Sequence, residues 1–536
     1  MAFILHATIT LALAAADPRV RLECGTELRG AEMPGVHAYQ GLRFAEPPER
    51  FAEPQDTDCA DGVDEIDARA PGSMCAQAAY PGLNLTTLMD MLVMPYAIYL
   101  LPLLALVFGG CAARAAWTFD PLAYSDLERP TNNSPPAWSY SPCVRGCGIA
   151  ALLSMLLLFM LPGWAKTGVF GDEDCLYLNV YVPAAPSAEP RAVMVWVHGG
   201  AFLVGTGRLD DPSYGSSIKM PQAGVVHVTL NYRLGVLGWL VLGDGSISPN
   251  LGLLDQLSAL RWVQRHIASF GGDPSKVLLY GHSAGGASVL ALQRMPAAKG
   301  LFRAAASMSP LSRIGSAPAD AAVRWKKALE PIGCAEIGCL RKLSTHTLAW
   351  VNPAGSGMGA FGTSNCSGSN TGPLSCCSVL TRHTRLRLSR SPAVPLPGRV
   401  NGGPETDWVK FVVEDGVSLT TGWQVDVPIF IGGCREQGDF APPDVMTMGY
   451  GAPTPAWPLT RESFGNWTSD AGLSEASTDA VWSLYGRAAD GRQKWAQIGT
   501  DITLFCGLRA VAAKAAKAGR SSPIYLNIFG YAVPFT

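Results

Sequence analysis

The stretch Asn250–Val289, NLGLLDQLSALRWVQRHIASFGGDPSKVLLYGHSAGGASV, constrains the fold more than any other part of the chain. Leu254, Leu257, Leu260, Val263 and Ile267 recur at helical spacing and predict a helix with one apolar face. After a short loop, the apolar run KVLLY predicts a buried strand, and GHSAG then predicts a sharp turn into a second helix. Ser283 stands at the centre of that turn, between Gly281 and Gly285. A strand-to-helix elbow this tight leaves no room for Cβ atoms beside the serine, which explains the flanking glycines. Such an elbow holds the hydroxyl clear of the backbone. The N–H of Ala284 opens the following helix, where it can meet a developing oxyanion. A bare G-x-S-x-G is a weak signal. Here a strand precedes it and a helix follows, the context a nucleophile requires; the alternative is a structural glycine-rich turn.

Around this stretch the chain alternates. CLYLNVYVP, AVMVWVHGG and VVHVTLNYR are β-rich apolar runs, and RAAASMS, VPIFIGG and PIYLNIF supply further strands with helices between them. The segment Asp501–Ala518 predicts a helix ending at Gly519, a natural residue for the left-handed turn after a helix. GLRFAEPPERFAEPQ (41–55) is punctuated by proline and predicts an extended surface stretch. The alternation points to an α/β fold with a mostly parallel, doubly wound sheet flanked by helices.

Two regions break the pattern. From about 85 to 168, two runs carry no charged residue: Met91–Ala113 for 23 residues and Gly146–Ala165 for 20. Each is long enough to cross a bilayer, and Arg114, Arg145 and Lys166 bracket them. They read as a transmembrane hairpin inserted without disturbing the surrounding fold; a buried helix pair and translated non-coding sequence are the alternatives. From about 353 to 404 a Gly/Ser/Pro-rich and then basic stretch has no periodicity and reads as a long loop or a second insertion.

Composition narrows the function classes. Apolar residues make up 48% and charged residues 16%, enough to bury a large core. A net charge of −2 gives no basis for nucleic-acid binding, and the basic run 382–390 reads as a solvated loop. Residues 1–16 have the apolar segment and Ala-x-Ala-like end of a signal peptide, although no cationic start; an N-terminal strand is the alternative. Fourteen cysteines, and N-x-[ST] sequons at Asn84, Asn132, Asn365 and Asn466, fit a secreted or membrane-associated protein of the secretory pathway. No metal or cofactor signature is present, since the cysteines fit disulfides better than zinc spacing.

An ordered series of blocks resembles the type-B carboxylesterase family, which includes the cholinesterases and has an α/β-hydrolase fold. GLRFAEPPERF, EDCLYLNVYVP, WVHGGAF, NYRLGVLGWL, GLLDQ, ALRWV, FGGDP and GHSAG follow in the family's order. The resemblance runs from about residue 20 to Tyr531 and implies one catalytic domain over 17–536, interrupted by the two insertions. It implies Ser283 as nucleophile and Gly199, Gly200 and Ala284 as the oxyanion-hole amides. A Gly-Gly turn after a strand can bring bare N–H groups close to a substrate carbonyl, so the residues agree with that implication. It further implies disulfides Cys75–Cys175 and Cys334–Cys339.

The chain departs from the family at three places. His282 stands before the nucleophile where the family usually carries Glu. VPIFIGGCREQGDF aligns with the block of the catalytic acid and places Gln437 at the acid position, with Glu436 beside it as a substitute acid. An amide can hydrogen-bond an imidazole but cannot stabilise imidazolium by charge. The family's catalytic His follows the strand matched by PIYLNIFGY, and the sequence stops at Thr536, so the chain is expected to be truncated before that residue. The resemblance also places the partner of Cys506 in the absent tail. The expected function is hydrolysis of a small-molecule or lipid ester through an acyl-enzyme, the alternative being an inactive cholinesterase-like binding or adhesion protein.

Overall fold

In the computed structural model, which describes residues 17–46, 49–57, 63–78, 169–208, 218–310, 315–316, 318–351, 411–412, 422–434, 460–470, 474–485, 494, 497 and 506–529, each β-rich run singled out above becomes a strand of one sheet. In chain order the strands are β1 (Ala31–Met33), β2 (Val36–Arg43), β3 (Tyr177–Pro183), β4 (Arg191–Val197) and β5 (Val226–Leu230), then β6 (Gly272–His282), β7 (Ala304–Met308), β8 (Ile429–Cys434) and β9 (Ile524–Phe529). Their spatial order is β9-β8-β7-β6-β4-β5-β3-β2-β1. Every pairing from β9 through to β5 is parallel. The remaining pairings, β5–β3, β3–β2 and β2–β1, are antiparallel. The sheet is therefore mixed, with its parallel part spanning the elbow.

Parallel neighbours need crossovers, and helices supply them. Between β5 and β6 runs α1 (Leu251–His266), and between β6 and β7 runs α2 (Ala284–Leu292). Later helices are α3 (Pro318–Leu329), α4 (Arg461–Asp470), α5 (Glu475–Leu484) and α6 (Cys506–Lys517). Covering both faces buries the central strands on both sides, so all five residues of β5 are buried. Beyond α6, Gly519 takes φ +75°, as its place after the helix requires.

Two local expectations change. The helix before the elbow was expected to bury one stripe, yet α1 buries Asp255, Gln256 and Ser258 together with Leu253 and Trp262, while Leu254 is only half-buried. Packing from several sides overrides the amphipathic pattern. The described residues of 41–55 include a short antiparallel ladder between Ala45–Glu46 and Gln55–Asp56 and a turn at Arg50–Phe51, and they are not a surface stretch throughout. Phe44 and Phe51 sit in the core at 0% and 3% exposure.

By internal contacts the chain divides into two units: Met1–Gln77, Phe170–Asp210 and Tyr214–Thr536 form one, and Ala78–Val169 with Asp211–Ser213 the other. Of the second, only Ala78 and Val169 are described. Residues 1–16, both uncharged runs, 353–404, Glu436 and Gln437 lie outside the described residues. Among the described residues, no helix is long and apolar enough to cross a membrane.

Candidate active site

The elbow forms where β6 meets α2. Ser283 takes φ 56° and ψ −118°, a conformation that costs a residue with a Cβ about 1–3 kcal/mol. The surroundings hold it there. Its N–H donates to the Met308 carbonyl at the end of β7 (2.8 Å), and its carbonyl accepts from Ala287 N–H (2.9 Å). The Ser307 hydroxyl donates to the Gly286 carbonyl (2.8 Å), a second tie between β7 and the first turn of α2.

The flanking glycines are needed for space. A Cβ on Gly285 would lie 2.1 Å from the Val197 carbonyl oxygen and 2.7 Å from that of His198. One on Gly281 would lie 2.6 Å from the Gly285 carbonyl carbon, and one on Gly286 2.7 Å from the Met308 oxygen. The first turn of α2 thus rests directly on the end of β4. All nine residues of α2 are buried, so the positive end of its dipole opens at Ser283 with little water to screen it.

Strand register brings a second turn to the same place. Val197, the last residue of β4, pairs with Gly281 of β6. Two residues beyond them stand Gly199 and Ser283. The Gly199–Gly200 turn is tight and left-handed, with φ +100° at Gly200, 59° at Ala201 and 63° at Phe202. The Gly200 carbonyl accepts from both Leu203 and Val204 N–H at 3.0 Å. A Cβ on Gly200 would sit 2.0 Å from the Val204 oxygen. The turn is braced from behind: the His198 ring stacks on Tyr232 (4.3 Å between centroids), and the Tyr232 hydroxyl donates to the His198 carbonyl at 2.8 Å. His198 Nδ1 lies 2.8 Å from the Gly199 carbonyl, which can only accept, so the proton sits on Nδ1.

His282 is half-buried at the end of β6, and that burial holds its imidazole below the ordinary histidine value. It is therefore neutral near pH 7. β8 runs beside β7, with Gly432 opposite Met308. Glu436 and Gln437 follow its last residue, Cys434, by two and three positions and lie outside the described residues.

One supporting pair was not singled out from the sequence. Arg233, just past β5, donates from Nε and Nη2 to Asp255 of α1 at 2.9 and 2.7 Å, and its own N–H adds a third bond at 2.9 Å. Both side chains are almost fully buried, at 6% and 0% exposure. The pair ties the chain leaving β5 to the helix that leads into the elbow strand. A signal existed: a lone Arg and a lone Asp, each inside an apolar run, are buried only when paired.

The structure contains disulfides Cys75–Cys175 and Cys334–Cys339. Cys24 is disulfide-bonded as well. Among the described residues, no group of His, Cys, Asp and Glu side chains is arranged to hold a metal ion.

The chain is similar in sequence and fold to known esterases. It is 53% identical over 144 residues to a para-nitrobenzyl esterase of Bacillus subtilis (strain 168), covering 26% of this chain and 29% of that one. It is 44% identical over 176 residues to a bile salt-activated lipase of Homo sapiens (32% and 23% covered) and 43% over 188 residues to cholinesterase 1 of Branchiostoma lanceolatum (33% and 52%). The matched stretch therefore spans well under two thirds of each of these relatives. A solved PNB esterase structure is similar in fold, with a TM-score of 0.54 at 24% identity, over 97% of this chain and 81% of that one. A profile described as the carboxylesterase family matches residues 16–534. The chain, an α/β-hydrolase whose strand-to-helix elbow rests on the end of β4, belongs to the carboxylesterase family.

Proposed function

We propose that the protein hydrolyses carboxylic esters through Ser283. The observation that supports this reading is the contact between the elbow and the end of β4, just before the Gly199–Gly200 turn, read from the 2.1 Å that would separate a Gly285 Cβ from the Val197 oxygen. In the proposed reaction the Ser283 hydroxyl attacks the acyl carbon while a histidine accepts its proton. The N–H groups of Gly199, Gly200 and Ala284 receive the negative charge that develops on the carbonyl oxygen, and a donor of this kind is worth about 10²–10³ in kcat. The alcohol leaves, an acyl-enzyme on Ser283 remains, and water releases the acid.

Neither described histidine at the elbow suits the base. His198 is committed to Gly199 and Tyr232, and His282 is the immediate neighbour of Ser283 in the chain, where successive side chains diverge. We assign the base to a histidine outside the described residues, and the acid position after β8 to Gln437, with Glu436 beside it as the substitute acid. We read 17–536 as one catalytic domain carrying the insertions at about 85–168 and 353–404. The disulfides fit the secretory pathway. The names of the relatives span nitrobenzyl, bile-salt-activated and choline-related enzymes, so the assignment stays at the class of esters.

The test is labelling by a fluorophosphonate, which reacts with an activated serine. The expected result is one adduct on Ser283 and none in Ser283→Ala. A folded protein that carries the catalytic histidine and still takes no label would overturn the reading in favour of an inactive binding protein.

A further inference from the structure

The sequons are not absorbed by ester hydrolysis. Of the four, Asn466 in Asn466-Trp467-Thr468 falls among the described residues. It is exposed in the middle of α4. That helix packs on α5 through the opposite side. The Phe464 ring is fully buried and lies 5.3 Å from that of Trp482, and Arg461 Nε donates to Asp479 at 2.8 Å. At 3.6 residues per turn, Asn466 stands about 200° around the helix from Phe464. A bulky group on Asn466 therefore projects away from the helix pair. Among the described residues its carboxamide has no hydrogen-bonding partner to give up.

We propose that Asn466 is an N-glycosylation site. Three independent observations meet there: the acceptor tripeptide, an outward position that leaves the α4–α5 packing untouched, and the disulfides of a chain folded under oxidising conditions. The co-substrate is a polyprenyl-diphosphate-linked oligosaccharide, and transfer occurs before the helix closes. Asn466 Nδ2 attacks the anomeric carbon and loses one amide proton to a base. The new N–C bond forms as the C–O bond to the diphosphate breaks, and the polyprenyl diphosphate leaves. The inference does not depend on the esterase reading, because no residue of the elbow takes part.

The test expresses the full chain in a secreting eukaryotic cell. The protein is treated with peptide-N-glycosidase in heavy-oxygen water and mapped by mass spectrometry. The expected result is conversion of Asn466 to labelled aspartate, with loss of one glycan increment on a gel in Asn466→Gln and Thr468→Ala and its retention in Thr468→Ser. Recovery of the Asn466 peptide unmodified from the wild-type protein would overturn the proposal, whether the chain is secreted or retained in the cytosol. Mapping the wild type keeps the test decisive if a variant does not fold.

Discussion

Gly285→Ala isolates the contact on which the site rests. The new methyl group would lie 2.1 Å from the Val197 carbonyl oxygen, about 0.9 Å inside the 3.0 Å approach that real Cβ atoms keep. Both partners are backbone, one in the first turn of α2 and the other at the end of β4, so no side chain can swing aside. Relief requires the helix start to move off the sheet by most of an ångström. Overpacking of this kind costs about 1–3 kcal/mol of stability. A displacement near 1 Å at a reacting centre costs about 10²-fold in rate. The measurements are urea denaturation at equilibrium and the rate of fluorophosphonate labelling, both against wild type. Gly338→Ala is the control, because its Cβ meets nothing within 4 Å in the short helix Ile337–Leu340. That change should lie within about 1 kcal/mol of wild type, on the stabilising side. A Gly285→Ala protein with wild-type stability and labelling rate would refute the packing argument. Lost stability with an unchanged labelling rate would refute the link between that contact and the reactivity of Ser283.

Two further outcomes follow from the scaffold. Replacing both Cys75 and Cys175 with serine should cost more than replacing both Cys334 and Cys339, since the closed loops differ, with sequence separations of 100 and 5. Loop-closure entropy puts the costs at about 4.7 and about 2 kcal/mol, so equal losses on denaturation would contradict the ranking. Glu173 supplies a pH test. Burial pushes its carboxyl up, but hydrogen bonds from Arg50 and Thr345 and the Arg50 charge outweigh this and hold it below the ordinary value of 4.5. A depressed folded-state value means the contribution is full above the ordinary value and is lost as pH falls through the depressed one. The stability gap between wild type and Glu173→Gln should therefore be constant near neutrality and shrink in acid; a gap that grows in acid would show the sign to be wrong.

Much of the site was legible because its constraints are local. Gly281 and Gly285 announce the elbow through steric need, and the run before it announces a strand through composition. Ser283 therefore stood out without coordinates, as did the second glycine turn. The Arg233–Asp255 pair did not, although each residue is visible as a charge in an apolar run, because nothing in either run names the other as its partner. The face buried by α1 was misjudged for a related reason. Periodicity reports one apolar stripe, whereas contact on several sides also buries Asp255, Gln256 and Ser258, each with a hydrogen bond of its own or a neighbour's.

By itself the sequence determined which segments are strands, where the backbone must turn without a Cβ, and which serine a turn would present. Only the tertiary structure decided that β4 lies between β6 and β5, that Val197 stands opposite Gly281, and that the Met308 carbonyl steadies Ser283. The division has a physical cause. Propensity and steric exclusion act within a few residues, while parallel pairing joins strands tens of residues apart through hydrogen bonds that every backbone can make. The elbow could be read from its own letters; its seat on the end of β4 could not.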